Sequence, residues 1–290
     1  FRGYLIYDQS VNAMRFGTDA TERMRLDSSG RLLVSTTSST SNIAGYGNGG
    51  IQLNSTTTAQ ACVNIIHRNN SNNTHAIVLA KARDGAANGG RVQDDDDFGA
   101  ISFQGFDGTG GTNYRQGAEI RGAVDGTPGN NDMPGRLEFL TNSGSSLTER
   151  LRINSLGTFD FTNGALIEEV QVTSGKLSAN QNINLDNGMV YLFTTQETTT
   201  STPNIRINSS NTLDAAMSNG KVISLTIMTT AAAAGYFTTV TIDGNANGQN
   251  SYTLNVDWLG GSAPSAGGSS GIDAYNITII KQSSKNFNIL

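Results

Sequence analysis

The sequence predicts an all-β protein, and three observations carry that reading. Short runs of alternating or β-branched apolar residues recur at spacings of roughly ten residues between clusters of Gly, Asn, Asp and Ser. The turn chemistry agrees, because Asp84-Gly85, Asp107-Gly108, Asp125-Gly126, Asn163-Gly164, Asn187-Gly188, Asn219-Gly220 and Asp243-Gly244 supply residues that accept the left-handed conformation of tight turns. The two helix-like stretches, Leu213 to Met217 and Ala231 to Ala234, are too short to organise a fold.

Taken in order, the strand candidates begin with Val63-Asn64-Ile65-Ile66-His67, Ile77-Val78-Leu79 and Ile101-Ser102-Phe103. They continue with Val222 to Met228, Phe237 to Ile242, Tyr252 to Trp258 and Tyr275 to Ile280. Cys62 leads into the first of these and is expected to be a buried structural thiol.

Composition narrows the function classes. The 290 residues contain 34 glycines and only 15% charged residues, while 36% hydrophobic content still supports a packed core. A formal net charge of -5 without a basic stripe argues against nucleic-acid binding, which needs clustered Lys and Arg on phosphates. One cysteine excludes an intrachain disulfide and a multi-Cys zinc site. No apolar run approaches membrane-spanning length, so membrane insertion is not expected. Phe1-Arg2-Gly3-Tyr4 has no signal-peptide pattern, and without an initiator Met, Phe1 is expected to be a cut or the limit of an ordered region.

The most informative feature is an internal repeat. Thr21-Glu22-Arg23-Met24-Arg25-Leu26-Asp27-Ser28-Ser29-Gly30-Arg31-Leu32 matches Thr148-Glu149-Arg150-Leu151-Arg152-Ile153-Asn154-Ser155-Leu156-Gly157-Thr158-Phe159. Met14-Arg15-Phe16 corresponds more loosely to Leu137-Glu138-Phe139. Each copy reads as strand, turn, strand, turn, strand. Strand alternation then puts Met24 and Leu26, or Leu151 and Ile153, on one face and both arginines on the other. A unit this small cannot bury its own apolar stripe. The simplest solution is a homotrimer that turns Met24, Leu26, Leu151 and Ile153 inward and lets Arg23, Arg25, Arg150 and Arg152 bridge Glu22 or Glu149 of a neighbouring chain. The plainer alternative is ordinary monomeric hairpins with surface arginines.

The repeat string, extended through Leu33-Val34, resembles the shaft modules of tail-fibre and related appendage proteins of tailed bacteriophages, notably cyanophages. Phe98 to Gly108, Gln116 to Ile120 and Asp132 to Thr141 are similar to the module that precedes a shaft repeat in those proteins. Trp258 to Pro264, Gly271 to Tyr275 and Phe287 to Leu290 resemble a C-terminal β-sandwich common at fibre tips. The resemblance implies an all-β homotrimer of shaft-like repeats flanking a β-rich insertion, with a jelly-roll-like sandwich at the C-terminal end. It also implies other virion proteins as partners on the N-terminal side, and location on the virion. The expected domains are 1–36 for the first shaft repeat, 37–134 for a Gly/Asn/Asp-rich β domain, 135–164 for the second repeat and 165–290 for the sandwich. The matched modules include no virion-anchoring domain, which leaves the attachment point open.

The expected role is structural and adhesive, with the C-terminal domain contacting a host surface glycan through shallow polar and aromatic contacts. Trp258 beside Asp257, with Tyr236, Tyr252 and Tyr275, supplies aromatic faces and polar partners suited to sugars. The competing reading packs Trp258 between sheets. The loop Gly260 to Gly271 is expected to form an exposed variable tip. Rival functions are a capsid- or neck-decorating fibre without receptor binding, and a polysaccharide depolymerase.

No enzyme activity, cofactor or metal is expected. Asp94-Asp95-Asp96-Asp97 lacks EF-hand spacing and reads as a solvated turn. His67 and His75 make at most a weak metal pair, and Gly108-Thr109-Gly110-Gly111 reads as a loop. The carboxylates Asp107, Glu119, Asp125, Asp132 and Glu138 form no diagnostic glycosidase pattern.

Overall fold

A computed structural model describes residues 2–40, 46, 49–56, 62–66, 68, 70, 72, 76–83, 90–108 and 114–290. The chain forms two compact units, Phe1–Ala165 and Leu166–Leu290. The only helix among the described residues longer than a 3-10 turn is α1 (Leu213–Ala216), started by the Thr212 side chain accepting from the Ala215 amide. The histidine pair, Asp84-Gly85 and most of the Gly108 to Gly111 loop lie outside the described residues.

The N-terminal unit contains two sheets of five strands. In the first, β1 (Gly3–Asp8), β2 (Ala13–Thr18), β3 (Thr21–Leu26) and β4 (Leu32–Val34) run as an antiparallel meander, and β5 (Ile51–Leu53) adds in parallel. In the second, β6 (Asp97–Phe106), β7 (Tyr114–Val124), β8 (Gly135–Asn142), β9 (Leu147–Ile153) and β10 (Phe159–Asp160) form an antiparallel meander. The β7–β8 pairing crosses the expected 134/135 boundary, so the second repeat and the strands before it are one sheet. Likewise, β5 belongs to the first repeat's sheet although it lies beyond residue 36.

The repeat is structural as well as sequential. Both repeats carry the same register slip, at Phe16/Gly17 against β3 and at Phe139/Leu140 against β9, which makes Arg23 and Arg150 the extra residues of equivalent β-bulges. The following turns also coincide. Asp27 accepts from the Ser29 and Arg31 amides, Asn154 from the Leu156 and Thr158 amides, and Gly30 and Gly157 both hold positive φ near 74° and 80°. Gly takes this left-handed conformation without the strain that a Cβ would bring.

Two expected strands are missing. Residues 62–66 and Ile77-Val78-Leu79 are irregular and exposed, and Cys62 is exposed rather than buried. Their β-branched runs meet no partner strand among the described residues, and propensity alone does not make a sheet.

The C-terminal unit is not a jelly roll. Its strands β11 (Val170–Thr173), β12 (Asn182–Asn184), β13 (Val190–Phe193), β14 (Asn204–Arg206), β15 (Val222–Thr230) and β16 (Thr241–Ile242) alternate between two sheets, and every pairing among them is parallel. The chain therefore winds through three solenoid-like passes. A jelly roll is built from antiparallel Greek keys, so the expected topology fails at the sense of pairing. Three further strands, β17 (Thr253–Val256), β18 (Ile272–Ser283) and β19 (Asn286–Ile289), extend the larger sheet beyond β15, giving the order β11-β13-β15-β18-β19-β17. The two sheets enclose one core containing Ile183, Ile205 and Ile242 from the small sheet and Phe193, Ile227, Ile279 and Phe287 from the large one. Period-2 alternation is the same for parallel and antiparallel strands, which is why the sequence pattern did not distinguish them.

Candidate functional site

The cross-strand register of the N-terminal unit sorts its side chains into two very different faces. Leu5, Phe16, Met24, Val34 and Leu53 align as one row across the first sheet, and Tyr7, Met14, Leu26, Leu32 and Ile51 as the next. Both rows are wholly apolar, yet Leu5 is 59% and Ile51 68% exposed. The second sheet repeats the arrangement: Ile101, Ile120, Phe139 and Leu151 form one row, and Leu137, Ile153 and Phe159 lie in the adjacent one. Ile101 is 55% and Phe159 63% exposed. The expected packing residues Met24, Leu26, Leu151 and Ile153 thus lie on two equivalent uncovered apolar faces. Contiguous apolar patches of this kind mark interaction surfaces.

The opposite faces are ion-paired and largely covered, although Ile6 at the β1 edge is 43% exposed. Ile6, Arg15, Arg25, Leu33 and Gln52 form the central row of the first sheet, where Leu33 and Gln52 are buried. Gln52 accepts from the Thr40 amide at 2.7 Å and donates to Thr40 and Gly49 carbonyls, which ties the following loop over this face. Arg15 bonds Asp8 and Glu22, and Arg25 bonds Glu22 at 2.5 and 2.9 Å. In the second sheet, Arg152 bonds Glu149 at 2.6 Å, Arg136 bonds Glu138 at 2.6 Å and Arg121 bonds Glu119 at 2.8 Å.

These contacts correct the expected roles of the arginines. Arg25 and Arg152 are satisfied inside their own chain, by the carboxylates expected to meet a neighbour. Arg23 and Arg150 donate to Thr18 at 3.1 Å and Thr141 at 2.9 Å, residues on the Phe16 and Phe139 sides of β2 and β8. The bulge breaks the strict alternation that would have kept each arginine pair on one face.

The acidic run is also distributed among cations. Asp96 bonds Lys81 at 2.8 Å and Arg83 at 2.6 Å, Asp95 bonds Arg136 at 3.0 Å, and Asp97 lies 3.7 Å from Arg121. The Arg83 and Lys81 contacts hold the Asp96 carboxyl well below the usual carboxylate range. Among the described residues, no group of three His, Cys, Asp or Glu side chains could hold a metal ion.

In the C-terminal unit, Asp257, Trp258 and Tyr275 gather around one pocket of about 160 Å³, whose walls include Val240, Val256 and Ile277. Strands β17 and β18 position them, because Asp257 and Trp258 follow the end of β17 and Tyr275 lies within β18. Trp258 packs its ring 6.1 Å from Phe237 and donates from Nε1 to the Thr238 carbonyl at 3.3 Å, and both rings line the pocket. The Tyr275 ring lies 4.1 Å from that of Phe237 at a tilt of 35°, and burial, with Asp273 and Glu197 nearby, pushes its phenol up to about 12. Leu259 projects fully exposed beside the pocket. Asn276 also borders the pocket, but its side chain lies on the other face of β18, where it accepts from Thr226 at 2.9 Å.

Two expected binding residues lie elsewhere. Tyr236 borders a separate open depression with Thr198 to Thr200 and Ser265. Tyr252 is a core residue, stacked 6.4 Å from Phe287 and donating to Asp243 at 3.1 Å. Its place at the start of a strand facing the opposite sheet, rather than its aromatic character, decides its role. The loop from Gly260 to Gly271 is anchored rather than free, because the Asp273 carboxylate accepts from the Gly268 amide and the Gly267 amide donates to Ala233. No family model matches this chain, and no curated protein matches it at significant similarity.

Proposed function

We propose that the protein is a structural and adhesive component of a phage appendage, a homotrimer whose C-terminal unit binds a host surface glycan. The observation that carries the reading is the duplicated apolar face of the N-terminal unit. The same rows recur in both repeats, each uncovered and each backed by a largely covered, ion-paired face. A second copy of the chain suits them as occupant, since identical faces with identical spacing make a self-complementary surface, and closed symmetry repeats one contact. The tail-fibre resemblance of the repeat string adds the threefold choice and the virion location.

The glycan arm rests on the Trp258 pocket. Its apolar walls with the Asp257 carboxylate at hand suit one sugar ring, stacked by its C–H face and held by polar contacts at its edge. Its volume lies below the roughly 300–1,000 Å³ of drug-sized ligand pockets, so each contact is weak and strength comes from avidity among three copies.

Light scattering after size exclusion tests the assembly. The expected mass is three times the 30.5 kDa of one chain. Met24→Asp combined with Leu151→Asp is expected to yield monomer or aggregate, and persistence of a stable trimer in that double variant would sink the reading. Glycan-array binding that survives Trp258→Ala would refute the assigned receptor pocket while leaving the assembly standing.

A further inference from the structure

The N-terminal unit contains a second, larger cleft, of about 580 Å³, between the edge strand β5 of the first sheet and β6 of the second. We propose that this cleft is a binding site for a neutral oligosaccharide, distinct from the Trp258 pocket and independent of whether that pocket binds sugar.

The floor comes from the ion-paired face of the second sheet. Ala100, Ser102 and Gln104 alternate along β6 toward the cleft, while Ile101 between them belongs to the exposed apolar face. The wall comes from the first sheet and its following segment, with Gln52, Asn54 and Thr40, and Asn54 Nδ2 bonded to Thr40 Oγ1 at 3.2 Å. Amides and hydroxyls therefore converge from both sides. Groups of this type donate and accept, which matches the hydroxyls of a sugar.

Among the described residues the lining carries no charge, and the carboxylate beneath it is already satisfied. Glu119, 3% exposed, accepts from Tyr46 at 2.5 Å, Gln116 at 3.0 Å and Arg121 at 2.8 Å. Burial, then the bond to Glu119, pushes the Tyr46 phenol up to about 12, so it remains a neutral donor fixed in place. Ser102 accepts from Gln104 at 3.1 Å and from Gln116 at 3.4 Å, which orients both amides before any ligand arrives. Preorganised polar groups lose little freedom on binding. Tyr46 and Tyr114 supply aromatic surface, with Ile51 and Leu53 beside them, for the C–H faces of a sugar. The volume falls within the roughly 300–1,000 Å³ of ligand pockets and accommodates more than a single ring. An anion would find no cation in this lining, and an apolar ligand would strand its amides without partners.

Saturation-transfer NMR on the full chain tests this, with lactose, maltotriose and tri-N-acetylchitotriose as probes and acetate, whose methyl protons are observable, as the charged control. We expect transfer to at least one of the sugars. We also expect about tenfold or greater loss of affinity in Ala100→Phe, which fills the cleft, and retention in Trp258→Ala. Hydrogen exchange on the unaltered chain supplies a readout that needs no variant: the sugar should slow exchange in 51–54 and 100–104. No transfer to any of the three sugars overturns the proposal. So does transfer abolished by Trp258→Ala but kept in Ala100→Phe, or protection confined to 256–276.

Discussion

Glu22 and Arg25 lie on the same face of β3 although they are three positions apart, an odd spacing that would put them on opposite faces of a regular strand. The bulge at Arg23 supplies the missing step and lets the carboxylate meet the guanidinium through two parallel bonds. Glu149 and Arg152 repeat the arrangement around Arg150. What surrounds each pair differs. Arg25 faces Arg15 across the strands, whereas Arg152 faces Glu138. Glu22 is therefore the carboxylate separating two like charges, and Glu149 is not. Glu22→Gln is expected to cost about 2–3 kcal/mol and Glu149→Gln about 1 kcal/mol, as measured by denaturant unfolding. Equal costs would show that the cross-strand charges do not matter.

Acid should act first on the N-terminal unit. Ser10 and Arg15 lower Asp8, Arg25 lowers Glu22, Arg31 lowers Asp27, Arg83 lowers Asp96, the Ser155 amide lowers Asp125 and Arg152 lowers Glu149. A carboxyl depressed in the folded state contributes stability that is complete above its unfolded value, about 4, and is lost as pH falls through the lower folded value. Stability of this unit should decline as pH drops below about 4, whereas in the C-terminal unit the same argument applies to Asp214. Trp258, the only tryptophan, reports on the C-terminal unit alone. Thermal melts by circular dichroism should acquire an acid-sensitive component that Trp258 fluorescence does not follow. A fluorescence transition that falls in step with it would contradict the assignment.

The legible and illegible parts of this fold divide along physical lines. The duplicated turn at Asp27 and Asn154 is visible in the sequence because side chain, spacing and glycine all act locally. The apolar identity of Met24, Leu26, Leu151 and Ile153 is visible for the same reason. The bulges are not, since they depend on which residue opposes Gly17 or Leu140 in another strand. Nor is the parallel winding of β11 to β16, because alternation is blind to strand direction. Val63 to Ile66 has the composition of a strand and, among the described residues, no neighbour to pair with. Tyr252 and Tyr275 carry the same side chain, and only the fold separates the one bonded to Asp243 in the core from the one beside the pocket.

Lys281 is a charge enclosed by the C-terminal unit, 5% exposed, yet its surroundings are fully arranged for it. Its Nζ bonds the Asp214 carboxylate at 2.8 Å, the Met217 carbonyl at 2.9 Å and the Asp214 carbonyl, so it closes the end of α1. Lys281→Met should cost about 3 kcal/mol, because it leaves Asp214 without its cation and the helix-end carbonyls without a donor. Adding Asp214→Asn should recover part of that loss. Recovery would appear as a raised unfolding midpoint in the double variant relative to Lys281→Met alone, and further destabilisation would show that Asp214 serves chiefly the Lys285 amide it also accepts from.

Gly267 marks the point where the loop after the Trp258 pocket comes closest to its own unit. A Cβ built there would overlap the Ala232 carbonyl and lie 2.9 Å from the Gly235 carbonyl and from Asp273. Two of those three obstacles are backbone, which has no rotamer to yield, so Gly267→Ala must shift the loop itself. The shift would break the Asp273 bonds to the Gly268 amide at 2.9 and 3.1 Å that anchor this loop. The expected cost is about 2 kcal/mol, with faster hydrogen exchange at Gly268 and an earlier Trp258 fluorescence transition. Gly105→Ala is the matched control, since nothing lies within 4 Å of its added Cβ, and it should change stability by less than about 0.5 kcal/mol. If Gly267→Ala proved equally silent, the loop would have to be loose enough to move without loss, and the Asp273 anchor would contribute nothing to holding it.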